Sequence, residues 1–121
     1  MRGSMNASPI NKPAALADLV DYQAGSVVSQ ALMKARTGTV TVFAFDAGEG
    51  LSEHAAPFDA LLFVVEGRAT VRVESEDHAM SGGDIVLLPT GIPHAVQAVE
   101  RFKMLLIMIR DGESPSSDRR G

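Results

Sequence analysis

Beyond Gly25 the chain alternates short apolar stretches with clusters of turn-forming residues. Residues 27–34, 39–45, 60–66, 69–74, 84–88, 94–99 and 102–109 are rich in β-branched and aliphatic side chains and read as strands. Most are separated by turn chemistry: Gly38, Gly48-Glu49-Gly50, Glu66-Gly67, Ser75-Glu76-Asp77, Gly82-Gly83 and Pro89-Thr90-Gly91. Strands at this spacing, with no long helix between them, predict an antiparallel sandwich or barrel. Thr70-Val71-Arg72-Val73-Glu74 alternates cleanly, which predicts one wet and one buried face. Residues 61–65 and 104–109 are apolar at every position, so both faces of those strands are expected to be dry. A thin barrel offers no second cover of its own, and the expectation is a subunit interface, hence a homodimer.

Ahead of Gly25, Leu16, Leu19 and Val20 follow the i, i+3, i+4 pattern of one short helix within residues 13–22, with Pro13 in its first turn. Met1-Arg2-Gly3-Ser4 before Met5 reads as a vector remnant, and residues 6–12 read as a loose polar arm. Residues 111–121 are rich in Ser, Gly and charge and are expected to be disordered. The expected organisation is an arm over 1–12, one domain over 13–110 and a tail over 111–121. No internal repeat interrupts it.

Composition narrows the function classes. A chain of 121 residues with 45 % hydrophobic side chains can bury a core without covalent staples, and with 5 % aromatics that core must be mostly aliphatic. The net charge of −4 lacks the basic stripe that nucleic acid requires and disfavours an acidic membrane surface. The absence of cysteine removes disulfides, thiolate chemistry and Cys-ligated metals, and fits a reducing, cytoplasmic setting. The apolar runs fall far short of the ~20 residues of a membrane-spanning helix, and no apolar segment behind Arg2 suggests a signal peptide.

Two segments carry candidate chemistry: residues 48–67, GEGLSEHAAPFDALLFVVEG, and residues 83–98, GDIVLLPTGIPHAVQA. In the first, Gly48 stands ahead of His54, and Gly67 closes a strand after Val-Val-Glu. In the second, Gly83, Pro89, Gly91 and His94 follow one another without insertion. In order and separation the two segments resemble the signature motifs of the cupin superfamily, and the likeness spans residues 26–110. The resemblance implies an all-β fold: a cupin-type antiparallel β-barrel, or jelly roll (double-stranded β-helix), here with the short N-terminal helix. It also implies an interior site where metal-bearing members hold Fe, Mn, Ni, Cu or Zn with three His and one Glu. Carried over residue by residue, the first His is His54 and the last is His94. The second His position is Ala56, the Glu position is Ala60, and a frequent Asn position is Ala98.

Near neighbours do not substitute for the missing ligands, because side chains alternate across a strand. Residues 54 and 56 share a face while Glu53 points away, and Asp59 faces outward unless a bulge re-aims it. Two imidazoles fall short of the three protein ligands of catalytic zinc and of the two-His-one-carboxylate iron triad. The expectation is therefore a barrel that binds, or senses, a small apolar or mixed-polarity ligand without a tightly held metal. Its pocket is lined by His54, Ala56, Phe58, Ala60, Leu62, His94, Val96 and Ala98. The alternative is a metal-free enzyme, or one holding a weak divalent metal, that uses His54 and His94 as an oxygenase, isomerase or lyase. A third reading is a regulatory subunit whose barrel is only a scaffold.

Blander readings stand beside these. A lone His facing a barrel interior is more often a core residue than a ligand; the joint placement of two favours a pocket. His78, after Ser75-Glu76-Asp77, reads as an exposed polar residue at a hairpin tip. Met33, Met104 and Met108 read as core or interface filler before a soft pocket wall. Phe58 reads equally as a pocket lid or as surface packing.

Overall fold

Strand partners lie far apart in sequence, and the turns only decide where each strand stops. The computed structural model describes residues 11–110. Its strands are β1 (Val27–Ala35), β2 (Gly38–Phe45), β3 (Gly50–His54), β4 (Asp59–Glu66), β5 (Arg68–Val73), β6 (Glu76–Ser81), β7 (Ile85–Leu88), β8 (His94–Ala98) and β9 (Phe102–Ile109). Five form one sheet in the order β1-β2-β9-β4-β7, and four form a second in the order β3-β8-β5-β6. Every pairing is antiparallel. The sheets face each other as a jelly roll around one core that draws on both, including Phe45, Leu62, Val64, Val71, Val96, Phe102 and Met104. The ladder does not run continuously around the barrel, which is completed by side chains.

The strands expected from sequence are present with their ends moved by no more than one residue. Two further strands, β3 and β6, occupy segments read as turns and loop. Both are the edges of the four-stranded sheet, so each pairs on one side only. Gly-Leu-Ser-Glu-His and Glu-Asp-His-Ala-Met-Ser carry the polar residues that keep an edge from recruiting other chains, and that hides them from a hydrophobicity pattern. His78 thus lies within β6, not at a hairpin tip, and it is exposed as expected.

The expected N-terminal helix contracts to a single 3-10 turn over Leu16–Leu19, with Pro13 outside it. Leu16, Leu19, Val20 and Tyr22 nevertheless pack on Val28, Leu32, Val42, Ala44 and Leu105, the outer side of β1, β2 and β9. The chain itself therefore supplies part of the second dry cover that the sequence assigned to a partner subunit. A polar latch holds this strap. Lys103 is buried beneath it, with Nζ donating to the Ala17 carbonyl at 2.5 Å and lying 4.7 Å from the centre of the Tyr22 ring. The Tyr22 hydroxyl donates to Glu66 Oε2 at 2.7 Å. Burial, then the Glu66 carboxylate, push the Tyr22 phenol far above its ordinary range, so it stays a donor. The arm and tail expected over 1–12 and 111–121 fall almost wholly outside the described residues.

The β5–β6 hairpin turns on Glu74, a non-glycine residue at φ 63°. Left-handed backbone costs an L-residue roughly 1–2 kcal/mol. Glu74→Gly is therefore expected to stabilise the protein by up to ~1 kcal/mol, after the extra freedom it gives the unfolded chain. Urea unfolding checks this, and a loss of stability would show that the Glu74 side chain holds the turn.

Candidate functional site

One end of the barrel gathers the candidate chemistry. Strand β3 finishes at His54 and β8 begins at His94, and these two are cross-strand partners. At the start of the pairing Gly50 faces Gln97 and Leu51 faces Val96; the register then shifts before His54 meets His94. That shift is one extra residue in β3. Without it Glu53 would stand opposite His94, so the bulge places an imidazole there instead of a carboxylate. The rings lie edge to face, 4.5 Å between centroids and 66° apart. His54 sits exposed on the rim, while His94 is only 8 % exposed.

Backbone carbonyls set the state of both rings. His54 Nδ1 is 2.9 Å from the Ser52 carbonyl oxygen, and His94 Nδ1 is 3.2 Å from that of Ile92. A carbonyl only accepts, so each Nδ1 carries a hydrogen, and in the neutral form of either ring the lone pair is left on Nε2. Burial holds the His94 pKa below its ordinary value against the Ile92 hydrogen bond, and the neighbouring His54 lowers it further.

The loops hold this arrangement. Gly91 N donates to the Ala56 carbonyl at 2.9 Å, joining the β7–β8 and β3–β4 loops, and Glu74 N donates to the Pro93 carbonyl at 2.8 Å. Ala56 is half-buried in the β3–β4 loop, because β3 has ended at His54; a common strand face for 54 and 56 is thus not what positions it. Ala60, 7 % exposed, opens β4 on the core side, with Leu88 and Met108 as its cross-strand partners. Leu62 and Val96 lie deeper in the packed core. Ala98 is buried four residues along β8 from His94, roughly 13 Å away, at the opposite end. Phe58 is half-buried with the Arg110 guanidinium 5.6 Å from its ring centre. Met104 is fully buried and Met33 is exposed on the outer surface. Leu88 and Met108 went unread as neighbours of Ala60, since only the non-local register brings them there.

The donor set does not fit the metal that the motif pattern implies. Among the described residues no group of three or more His, Cys, Asp or Glu side chains could hold an ion. Asp59, the carboxylate nearest in sequence to the Glu position, is exposed and committed elsewhere. Its Oδ1 accepts from Thr90 N and Thr90 Oγ1, each at 2.8 Å, which lowers its pKa. No bulge turns it inward. The small side chain of Ala60 stands where a ligand would be needed.

Most of β2, strands β3 to β9 and both motif segments lie in the part of the chain that matches the Cupin domain family model, residues 41–110, and the chain belongs to that family. It is similar to a conserved protein of unknown function from Streptococcus pyogenes at 31 % identity and a TM-score of 0.81, covering 86 % of this chain and 90 % of that one. A cupin superfamily protein from Desulfitobacterium hafniense matches at 29 % identity and 0.81, over 85 % of this chain and 94 % of that one. A cupin 2 conserved barrel domain protein from Leptotrichia buccalis reaches 40 % identity and 0.76, over 78 % of this chain and 46 % of that one.

The burial of His94 predicts a pH dependence. A buried His that the fold keeps neutral takes up a proton on unfolding, so the unfolded state binds more protons once the pH falls below its ordinary pKa near 6.5. The sign is a loss of stability as pH drops from about 6.5 to the lower folded pKa. Asp46 is held at about 2, first by the Gly25 backbone N–H and then by Arg101, and the pKa values of Asp59 and Asp77 are lowered as well. Their contributions are present above the ordinary carboxylate pKa and are lost below about pH 4. Chemical denaturation across pH 3–8 should show two separate declines, and His94→Gln should abolish only the upper one.

Proposed function

We propose that this protein is a small-molecule-binding barrel, with sensing as a natural use, that works without a tightly held metal. The observation that carries the reading is the mouth itself. Two imidazoles, each with its Nδ1 held by a backbone carbonyl, stand opposite each other across the β3–β8 pairing, and Ala60 occupies a ligand position of the motif on the core side of β4. His54, Ala56, Phe58, Ala60 and His94 form its upper part, and Leu62 and Val96 its floor. Ala98 belongs to the far end and contributes packing. A second reading, metal-free acid–base catalysis of an isomerase or lyase type, is favoured by one feature. Burial keeps His94 neutral, with a free Nε2 able to take a proton. The cysteine-free composition supports a cytoplasmic setting, and among the described residues no helix is long and apolar enough to cross a membrane.

The test is metal analysis of protein purified without chelator or affinity tag, followed by a thermal-shift screen of small neutral compounds. The expected result is less than one-tenth equivalent of any transition metal and a compound class whose stabilisation weakens in His54→Ala. Stoichiometric metal in the parent would overturn the metal-free reading.

The reading includes a homodimer. Leu61, Ile85, Leu87 and Ile109 lie exposed on the outer face of β7, β4 and β9, where Leu61 pairs with both Leu87 and Ile107. The strap of residues 16–22 covers Leu105 and the β1–β2 side but not this row. Apolar rows of this kind on a sheet face favour association. Sedimentation at micromolar concentration should give a dimer that Leu61→Glu weakens, and a clean monomer would remove the argument.

A further inference from the structure

We infer that the mouth selects ligands that present a hydrogen-bond donor, a hydroxyl or a ring N–H on a small apolar body, over acceptor-only or anionic ligands of the same shape. The inference rests on the small-molecule reading above and specifies its ligand chemistry. Ser52 and Ile92 each occupy the Nδ1–H of one ring, at 2.9 and 3.2 Å, so neither imidazole has a second hydrogen to give while neutral. Both therefore offer only the acceptor Nε2. The rings are 4.5 Å apart, so one small ligand meets them together. Ala60, with Leu88 and Met108 paired to it, belongs to an aliphatic cluster, and as the wall assigned to the pocket above it supplies contact area and no polar partner. A ketone or carboxylate oxygen placed there meets lone pairs on both rings and leaves them unsatisfied, whereas a hydroxyl satisfies one. Arg110 is the competing feature, a cation stacked over Phe58 that an anion could seek.

A matched series separates these cases: cyclohexanol as donor, cyclohexanone as acceptor and cyclohexanecarboxylate as anion. Two-dimensional ¹H–¹⁵N spectra of the imidazoles report the tautomers directly, and titrations of the same protein report binding. Both rings are expected as Nδ1–H tautomers, with cyclohexanol binding about fivefold or more tighter than cyclohexanone, the range of one net hydrogen bond. In His54→Leu, a rim substitution that keeps the apolar volume, the alcohol's advantage should shrink while ketone binding persists. Nε2–H tautomers in the free protein would overturn the inference whatever binds. Equal or tighter binding of the ketone or the carboxylate would overturn the donor preference and leave the small-molecule reading standing. Zinc binding at one equivalent through both Nε2 atoms would assign the acceptors to a cation and overturn it as well. A series that perturbs no residue of the mouth would count against the small-molecule reading itself, and the inference would fall with it.

Discussion

Gly67→Ala is expected to cost several kcal/mol and to leave little soluble protein. Gly67 joins β4 to β5 at φ +85°, and a Cβ built there would sit 2.1 Å from the Arg101 carbonyl oxygen and 2.6 Å from Cα and Cβ of Phe102. Two costs therefore add. The left-handed backbone accounts for roughly 1–2 kcal/mol in any L-residue. The collision is with main chain and cannot be relieved by a rotamer change, so β9 must move away from the turn. Phe102 is fully buried and stacks on Phe45 at 4.5 Å, and displacing its backbone breaks up that packing. Against a total stability of about 5–15 kcal/mol, a combined loss above 3 kcal/mol is a large share. Gly83→Ala separates the two costs, because Gly83 has φ +98° but open space around it. Denaturant titration should find it weakened by the strain alone, roughly 1–2 kcal/mol. Equal effects at the two glycines would show that the close approach of Arg101 and Phe102 contributes nothing.

These glycines also show how the fold could be read from sequence. A turn that needs a positive φ is a local demand, written in one residue, and Gly48, Gly67, Gly83 and Gly91 all meet it. Strands buried on one or both faces announce themselves in the same way. The edge strands β3 and β6 do not, since an exposed edge is served by Ser, Glu, Asp and His. The N-terminal strap was legible as apolar but not as 3-10, because its conformation follows the groove over β1, β2 and β9 more than its own periodicity.

The site divides similarly. His54 and His94 were legible as a pair through their places in two motifs, and the structure makes them cross-strand neighbours. The bulge that turns His54 toward His94 left no mark in Leu51-Ser52-Glu53-His54 that a period-2 reading would catch. The tautomers depend on the carbonyls of Ser52 and Ile92, and the outward commitment of Asp59 depends on Thr90, thirty-one residues away. Such contacts are set by tertiary register and loop path. What sequence could supply was the negative statement that Ala56 and Ala60 hold ligand positions, and the structure refines it by setting them in different elements, a loop and a strand.

That difference shapes the second large effect, the rebuilding of a metal site by Ala60→Glu and by the double variant Ala56→His, Ala60→Glu. Ala60 is buried near the start of β4, and in the proposed pocket Glu at this position would join the two imidazoles in a two-His-one-carboxylate set. Ala56 lies in a loop tied to Gly91 N, and His there completes the four-ligand pattern only as far as that loop holds it. Without metal both variants should be less stable than the parent, because each added polar group loses water unpaired at about 1–3 kcal/mol. For a domain of this size that corresponds to a fall of some 4–8 °C in Tm per kcal/mol. Zn, Co or Ni should then restore the loss, since an ion that binds only the folded state stabilises it by about 2.7 kcal/mol at one hundred times its Kd. The parent, with two imidazoles and an outward Asp59, should gain much less at the same concentration, and Asp59→Asn should not change that small response. If the parent gains as much as the variants, the mouth already holds a metal site and the enzyme reading moves ahead. If Ala60→Glu folds, loses stability and yet gains no affinity for metal, Ala60 and the histidines do not share one volume, and the proposed pocket loses its wall.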